Sequence, residues 1–250
     1  LPDWRRDPGE LRKSQRIPVV DLISARNKSR TVLHELVKVC TGVQFDEKAL
    51  TIGFARRFAT YKRADLVFRN IARLSEFGQG KIQFVFAGKA HPKDEDGKQL
   101  IANVISAGKE LDGKIPVAFL EDYSMDTGRA MTNGVDIWLN CPVRPMEACG
   151  TSGMKASLSG VPNCSILDGW WPEACEHGLN GWAIGGEDDD RDDDRDGEAV
   201  LDVLENEVLP VWQAGEKSWL ELVRGAISTG ANFTAERMLS DYCEFYADFA

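Results

Sequence analysis

From residue 51 onward, short apolar runs are separated by charged and glycine-containing connections. TIGFA (51–55), IQFVFAG (82–88), IPVAFL (115–120) and VDIWLN (135–140) are rich in β-branched and aromatic residues, and each is bounded by Gly, Pro or charge. Unbroken apolarity, rather than alternation, marks strands covered on both faces. Between them Ala64, Val67, Ile71 and Leu74 recur at three- and four-residue spacing, as do Leu100, Ile101, Val104, Ile105 and Leu111. This spacing predicts amphipathic helices, the first starting near Ala64. Strand-helix-strand repetition predicts an α/β fold, a doubly wound parallel sheet with right-handed crossovers. Ligands of such sheets sit at the carboxyl ends of the strands.

The two ends of the chain carry a different pattern. Residues 1–45 show a helical stretch (Val32, Leu33, Leu36, Val37) and no strand signal. Beyond about residue 216, Trp219, Leu222, Val223, Met238, Leu239, Tyr242, Phe245 and Phe249 follow amphipathic helical spacing. Both ends are expected to be helical extensions of one central domain. The run EDDDRDDDRDGE (187–198) has Asp192, Asp194, Asp196 and Gly197 at spacings resembling a calcium loop, but Val203 stands where a bidentate glutamate is required. A solvated loop and no metal site are expected there.

Composition narrows the functional classes. A formal net charge of −10 over 250 residues argues against nonspecific binding to nucleic acid or to an anionic membrane surface. Any anion site must therefore be local. No apolar run approaches the roughly 18 residues of a membrane span. The six cysteines (Cys40, Cys141, Cys149, Cys164, Cys175, Cys243) are scattered without a CxxC pair, a usage that suits reduced thiols and a cytoplasmic location. The chain begins at Leu1 rather than methionine, as a piece of something longer would.

Two segments carry chemistry. ARRFATYKR (55–63) follows the first strand and places Arg56, Arg57, Lys62 and Arg63 in a strand-to-helix turn of an acidic protein. A helix start favours acidic residues, so a basic cluster there is unfavourable unless an anion is bound. The alternative is a solvated basic surface turn. GTSGMK (150–155) has glycines that let backbone amides approach a ligand, with Thr151 and Ser152 able to cap the following helix. It is neither GxxxxGK[ST] nor GxGxxG, and an ordinary helix cap is the alternative. Two such turns at strand ends can hold two phosphates side by side. A lysine just past one of them, Lys155, could bind an aldehyde cofactor whose phosphate rests in the turn.

The run EACGTSGMKASLSG (147–160) resembles the pyridoxal-phosphate attachment signature of the α-glucan phosphorylases, the glycogen, starch and maltodextrin phosphorylases. It matches every fixed position but the last, where Ser159 replaces the family's asparagine. GFARRFATYKRADLVF (53–68), FAGKAHP (86–92), FLEDYSMD (119–126) and LDGWWPEACEHGLNGWAIG (167–185) occur in the family's order, in the manner of its shorter bacterial and archaeal branch. The likeness runs from about residue 46 and covers only the family's C-terminal, cofactor-carrying half.

The resemblance implies a Rossmann-like domain, the C-terminal half of a two-domain GT-B architecture. Residues 46–215 would form it, with 1–45 a helical linker from a missing N-terminal half and 216–250 the C-terminal helices. Lys155 would attach pyridoxal 5'-phosphate, with Gly150, Thr151, Ser152 and Arg56 holding the cofactor's phosphate and Tyr123 nearby in the active site. Arg57 and Lys62 would bind the substrate phosphate. Glu147, Cys149 and Gly150 would hydrogen-bond glucose hydroxyls. The implied reaction is attack of inorganic phosphate on the terminal α-1,4-linked glucose of a glucan, giving α-D-glucose 1-phosphate with retained configuration. These 250 residues alone are expected to be inactive. One rival is a nucleotide-sugar glycosyltransferase of the same architecture; such enzymes carry a glutamate, seven residues and a second glutamate, and here Lys155 stands at that second position. The other is a noncatalytic binding module.

Overall fold

The computed structural model describes residues 1, 3–186 and 190–247. Its centre is a six-stranded sheet of β1 (Leu50–Ala55), β2 (Ile82–Ala87), β3 (Val117–Leu120), β4 (Ile137–Asn140), β5 (Asn163–Ile166) and β6 (Gly181–Ile184). The order is β3-β2-β1-β4-β5-β6, and every pairing is parallel. The doubly wound α/β expectation holds in class, in order and in strand direction. The β1–β4 junction is the switch point, where connections leave β1 and β4 toward opposite halves of the sheet. The crevice at that point is where doubly wound sheets bind ligands.

Helices cover both faces. They are α1 (Val19–Thr41), α2 (Ile71–Gly78), α3 (Glu95–Glu110), α4 (Met125–Gly134), α5 (Thr151–Leu158), α6 (Trp171–Ala174), α7 (Asp193–Val203), α8 (Leu209–Gln213), α9 (Glu216–Gly230) and α10 (Ala235–Ala247). Side chains alternate across each strand. Ile52, Phe54, Phe84, Phe86, Ile137 and Leu139 face one core with Leu74 of α2, Val104 of α3 and Leu201 of α7. Val85, Ala87, Leu120 and Trp138 face the other with Leu33 and Val37 of α1, Met131 of α4 and Ala156 of α5. Helix α1 is therefore a full layer of the sandwich, with Leu33 and Val37 completely buried. At the crossing of β1 and the Val135 loop a side chain would not fit: a Cβ on Gly53 would lie 2.5 Å from Val135 Cγ1.

Three local expectations change. No helix starts at Ala64. After β1 the chain makes short 3-10 turns at Thr60–Lys62 and Leu66–Phe68, and α2 begins only at Ile71 with Asn70 as its N-cap. Arg63 adopts φ 45°, a left-handed conformation that interrupts helical propagation there. The acidic run is not simply a solvated loop, although residues 187–189 lie outside the described residues. Asp192 caps α7, its side chain accepting from the amides of Asp194 and Arg195. Among the described residues no cluster suits a metal ion. Strands β5 and β6 were not anticipated. Among the described residues no helix is long and apolar enough to cross a membrane.

Candidate active site

A cleft of about 360 Å³ opens at the carboxyl ends of β1 and β4, between the basic turn and the start of α5. Its walls come from Arg56, Arg57 and Lys62 on one side and from Glu147, Cys149 and the 150–152 turn on the other. Two sequence segments that lie about ninety positions apart are thus brought together at the switch point.

The basic turn is held rigidly. Phe58 is fully buried and its amide donates to the carbonyl of Lys89 at 3.0 Å. The amide of Val143 donates to Tyr61 at 2.7 Å, tying the turn to the loop after β4. Arg63, which the sequence groups with the anion-binding cations, serves a different purpose. It is buried and donates to the carbonyls of Cys141 (2.9 Å) and Pro142 (2.7 Å) and to the carboxylates of Asp193 (3.1 Å) and Asp196 (2.6 Å). All these partners point it away from the cleft, so it clamps Lys62 between β4 and α7.

Three cations remain. Lys62 is buried, with Nζ 2.7 Å from Glu147 Oε2 and 4.6 Å from the centre of the Tyr61 ring. Arg56 Nη1 lies 2.5 Å from the same Glu147 oxygen and also donates to Asn140 Oδ1. Arg57 is exposed on the cleft wall and has no hydrogen-bond or ion-pair partner among the described residues. Burial disfavours ionisation of Glu147, but hydrogen bonds and charge from Arg56 and Lys62 outweigh it and hold the carboxyl below its ordinary value. Its main chain is fixed as well. Glu147 N donates to Asp168 Oδ2 and Gly169 N to Asp168 Oδ1, each at 2.8 Å.

The opposite wall is a helix start without a side-chain cap. The N-cap of α5 is Gly150, at φ 87°, and no side chain accepts from the first amides. The sequence suggests Thr151 or Ser152 as the cap; both instead lie inside the helix. A side chain at 150 would be strained by the backbone, and a Cβ there would meet Trp170 Cδ1 at 3.2 Å. Open amides and the positive end of the helix face the same cleft as the cations. This arrangement can hold a phosphate-sized anion, or two, against arginine, lysine and backbone N–H groups.

Lys155 and Tyr123 do not line this cleft. Lys155 is exposed, one turn after Thr151 and on the same face of α5, because positions i and i+4 stack on a helix. Ser159 spans the end of that helix, donating to Asn133 Oδ1 (2.7 Å) and to the Lys155 carbonyl (3.1 Å). Tyr123 precedes α4, over Gly128, at the end of the edge strand β3; burial pushes its phenol up. Asn140 and Asp168, missed as site residues, are the groups that orient Arg56 and Glu147. Asp168 lies within the LDGWW segment already noted, whereas nothing local to Asn140 signals its role.

The carbohydrate phosphorylase family model matches residues 9–177. The chain belongs to that family. It is 40% identical to a glycogen phosphorylase of Aquifex aeolicus over 99% of this chain and 37% of the relative. It is 40% identical to a maltodextrin phosphorylase of Thermococcus litoralis over 93% of this chain and 30% of the relative. With a Mycobacterium tuberculosis glycogen phosphorylase it shares 43% identity over 81% of this chain and 25% of the relative. The chain thus spans about a third of the length of the curated relatives it matches.

Proposed function

We propose that the chain is the cofactor- and phosphate-binding half of a retaining α-1,4-glucan phosphorylase, completed by an N-terminal half that supplies the rest of a GT-B cleft. The substrates are an α-glucan and inorganic phosphate, the product is α-D-glucose 1-phosphate, and the location is cytoplasmic. The observation that carries this reading is the convergence of Arg56, Arg57 and Lys62 with an uncapped helix start at the switch point, in a chain of this family.

The residues present fit pyridoxal 5'-phosphate. The Gly150 turn admits no side chain and leaves its amides open. Arg56 adds charge beside it, and Lys155 offers an accessible amine on the same helix face as Thr151. Gly150, Thr151, Ser152 and Arg56 would hold the phosphate, Lys155 would attach the carbonyl, and Tyr123 would sit toward the outer edge. When bound, the cofactor supplies through its phosphate a proton donor and acceptor with a pKa of about 6.

Everything else falls to the chain itself. Two phosphates in one cleft repel strongly, and the cations with the helix start offset that repulsion. Arg57, at the cleft wall without a partner, draws the substrate phosphate in; Lys62, clamped by Arg63, fixes its position. Glu147 and Cys149 accept from glucose hydroxyls and orient the sugar.

In the full-length protein, Arg57→Ala or Lys62→Ala should lower phosphorolysis by roughly 10²–10³-fold while leaving cofactor content nearly intact. Loss of cofactor with no further kinetic defect would move both residues to the cofactor. For attachment, borohydride reduction followed by denaturing chromatography should leave cofactor on the wild type and none on Lys155→Ala. Equal retention in both would end the assignment of Lys155.

A further inference from the structure

One carboxylate oxygen, Glu147 Oε2, neutralises both buried cations of the cleft, Arg56 at 2.5 Å and Lys62 at 2.7 Å. An anion that uses those cations must take that oxygen's place. The Glu147 backbone cannot move aside, because its amide is fixed by Asp168 Oδ2 at 2.8 Å. The side chain can. It lies beside Gly169, where a Cβ would come within 3.0 Å of its Cγ, and near Gly150, where a Cβ would stand 3.8 Å from it. The two glycines leave it room to rotate.

Displacement has an electrostatic consequence. Once phosphate occupies Arg56 and Lys62, the Glu147 carboxylate is buried, uncompensated and next to a like charge, a state that costs several kcal/mol unless new donors appear. Sugar hydroxyls are such donors. We propose that Glu147 is a built-in competitor for the anion, and that its transfer from cations to sugar hydroxyls couples phosphate binding to sugar binding. This rests on reading the cleft as a phosphate and sugar site. Without sugar, phosphate must orphan the carboxylate and binds weakly; with sugar, the released carboxylate is satisfied and phosphate binds tightly. By linkage, phosphate strengthens sugar binding by the same factor. Arg57, without a partner on the cleft wall, is the group an arriving anion meets first.

The experiment is calorimetric titration of inorganic phosphate into the chain, with and without D-glucose, for the wild type and Glu147→Gln. The variant keeps the size of the side chain and removes its charge. It should bind phosphate roughly tenfold more tightly than the wild type. Glucose should tighten phosphate binding several-fold in the wild type and leave the variant unchanged. Phosphate binding equal or weaker in Glu147→Gln, or a glucose effect that survives in it, overturns the proposal while leaving the cleft an anion site. Phosphate binding to neither protein overturns the site and the proposal together. Should Glu147→Gln fold poorly with two uncompensated cations, phosphate must restore its melting temperature, since the anion replaces the missing charge; failure to do so counts against the proposal. Glu147→Asp, one methylene shorter, should fall between the two in phosphate affinity.

Discussion

The two ends of the sheet carry the same charge motif and use it differently. At the amino end, Asp136 sits between Arg26 (3.4 Å) and Arg30 (3.1 Å). At the carboxyl end, Glu147 sits between Arg56 and Lys62. The amino-end cluster is committed to the backbone on every side: Asp136 Oδ2 accepts from Thr51 N at 3.0 Å, and Arg26 donates to the carbonyls of Asn133 and Val135 at 2.6 Å each. It fastens α1 to the strand entrances. The carboxyl-end cluster has a partnerless arginine beside it and an uncapped helix start opposite. A carboxylate between two cations is a structural rivet when main-chain groups complete it, and a replaceable stand-in when open donors surround it.

Breaking the rivet should produce the largest effect. Asp136→Ala leaves Arg26 and Arg30 uncompensated and the Thr51 amide unpaired, and should cost roughly 3–5 kcal/mol of stability in urea unfolding. Phosphate affinity, measured where the variant is still folded, should stay near that of the wild type. Equal loss at both ends would erase the distinction. Lys62→Ala should cost only about 1 kcal/mol, since Arg56 still holds Glu147. Its main effect should be weakened phosphate binding, and a stability loss as large as that of Asp136→Ala would make the carboxyl end a rivet too.

Acid titration sharpens the comparison with a smaller effect. His34, 3.2 Å from Thr51 Oγ1 near the amino end, is held below its ordinary value of 6.5 by burial first and by the Arg30 charge second. A depressed folded value means that the unfolded chain binds the proton more readily, so stability is present above pH 6.5 and is lost as pH falls through the lower folded value. Glu147 is also depressed, but from 4.5, so the stability it contributes is lost only below that pH. His34→Gln should flatten the upper part of the stability profile, between about pH 5 and 7, and Glu147→Gln only the acid limb below it. A single transition removed by neither variant would refute the assignment.

Much of the architecture was legible. β1 to β4 announce themselves because strands buried on both faces must be apolar throughout. β5 and β6 do not, for opposite reasons. NCSI carries Asn163 and Ser165 at buried positions, where Asn163 Nδ2 donates to the Gly153 carbonyl (3.2 Å) and to Ser157 Oγ (3.0 Å). Ser165 accepts from Asn140 at 3.0 Å. These polar side chains serve the site from beneath, and their partners come from other segments. GWAI begins with Gly181, where a Cβ would stand 2.2 Å from the Asn163 carbonyl oxygen, so close backbone approach rather than apolar pattern selects the residue.

The chain's own pattern settled what depends on neighbours along the sequence: apolar periods, the glycine turn before α5, and the density of cations after β1. Which of four adjacent cations faces the cleft was decided by the fold. Arg63 turned out to be a clamp, Arg56 and Lys62 share one carboxylate, and Arg57 alone stands open. Those roles arise from charges brought within a few ångströms of each other by strand order, and Coulomb energy depends on distance in space, to which separation along the chain is blind.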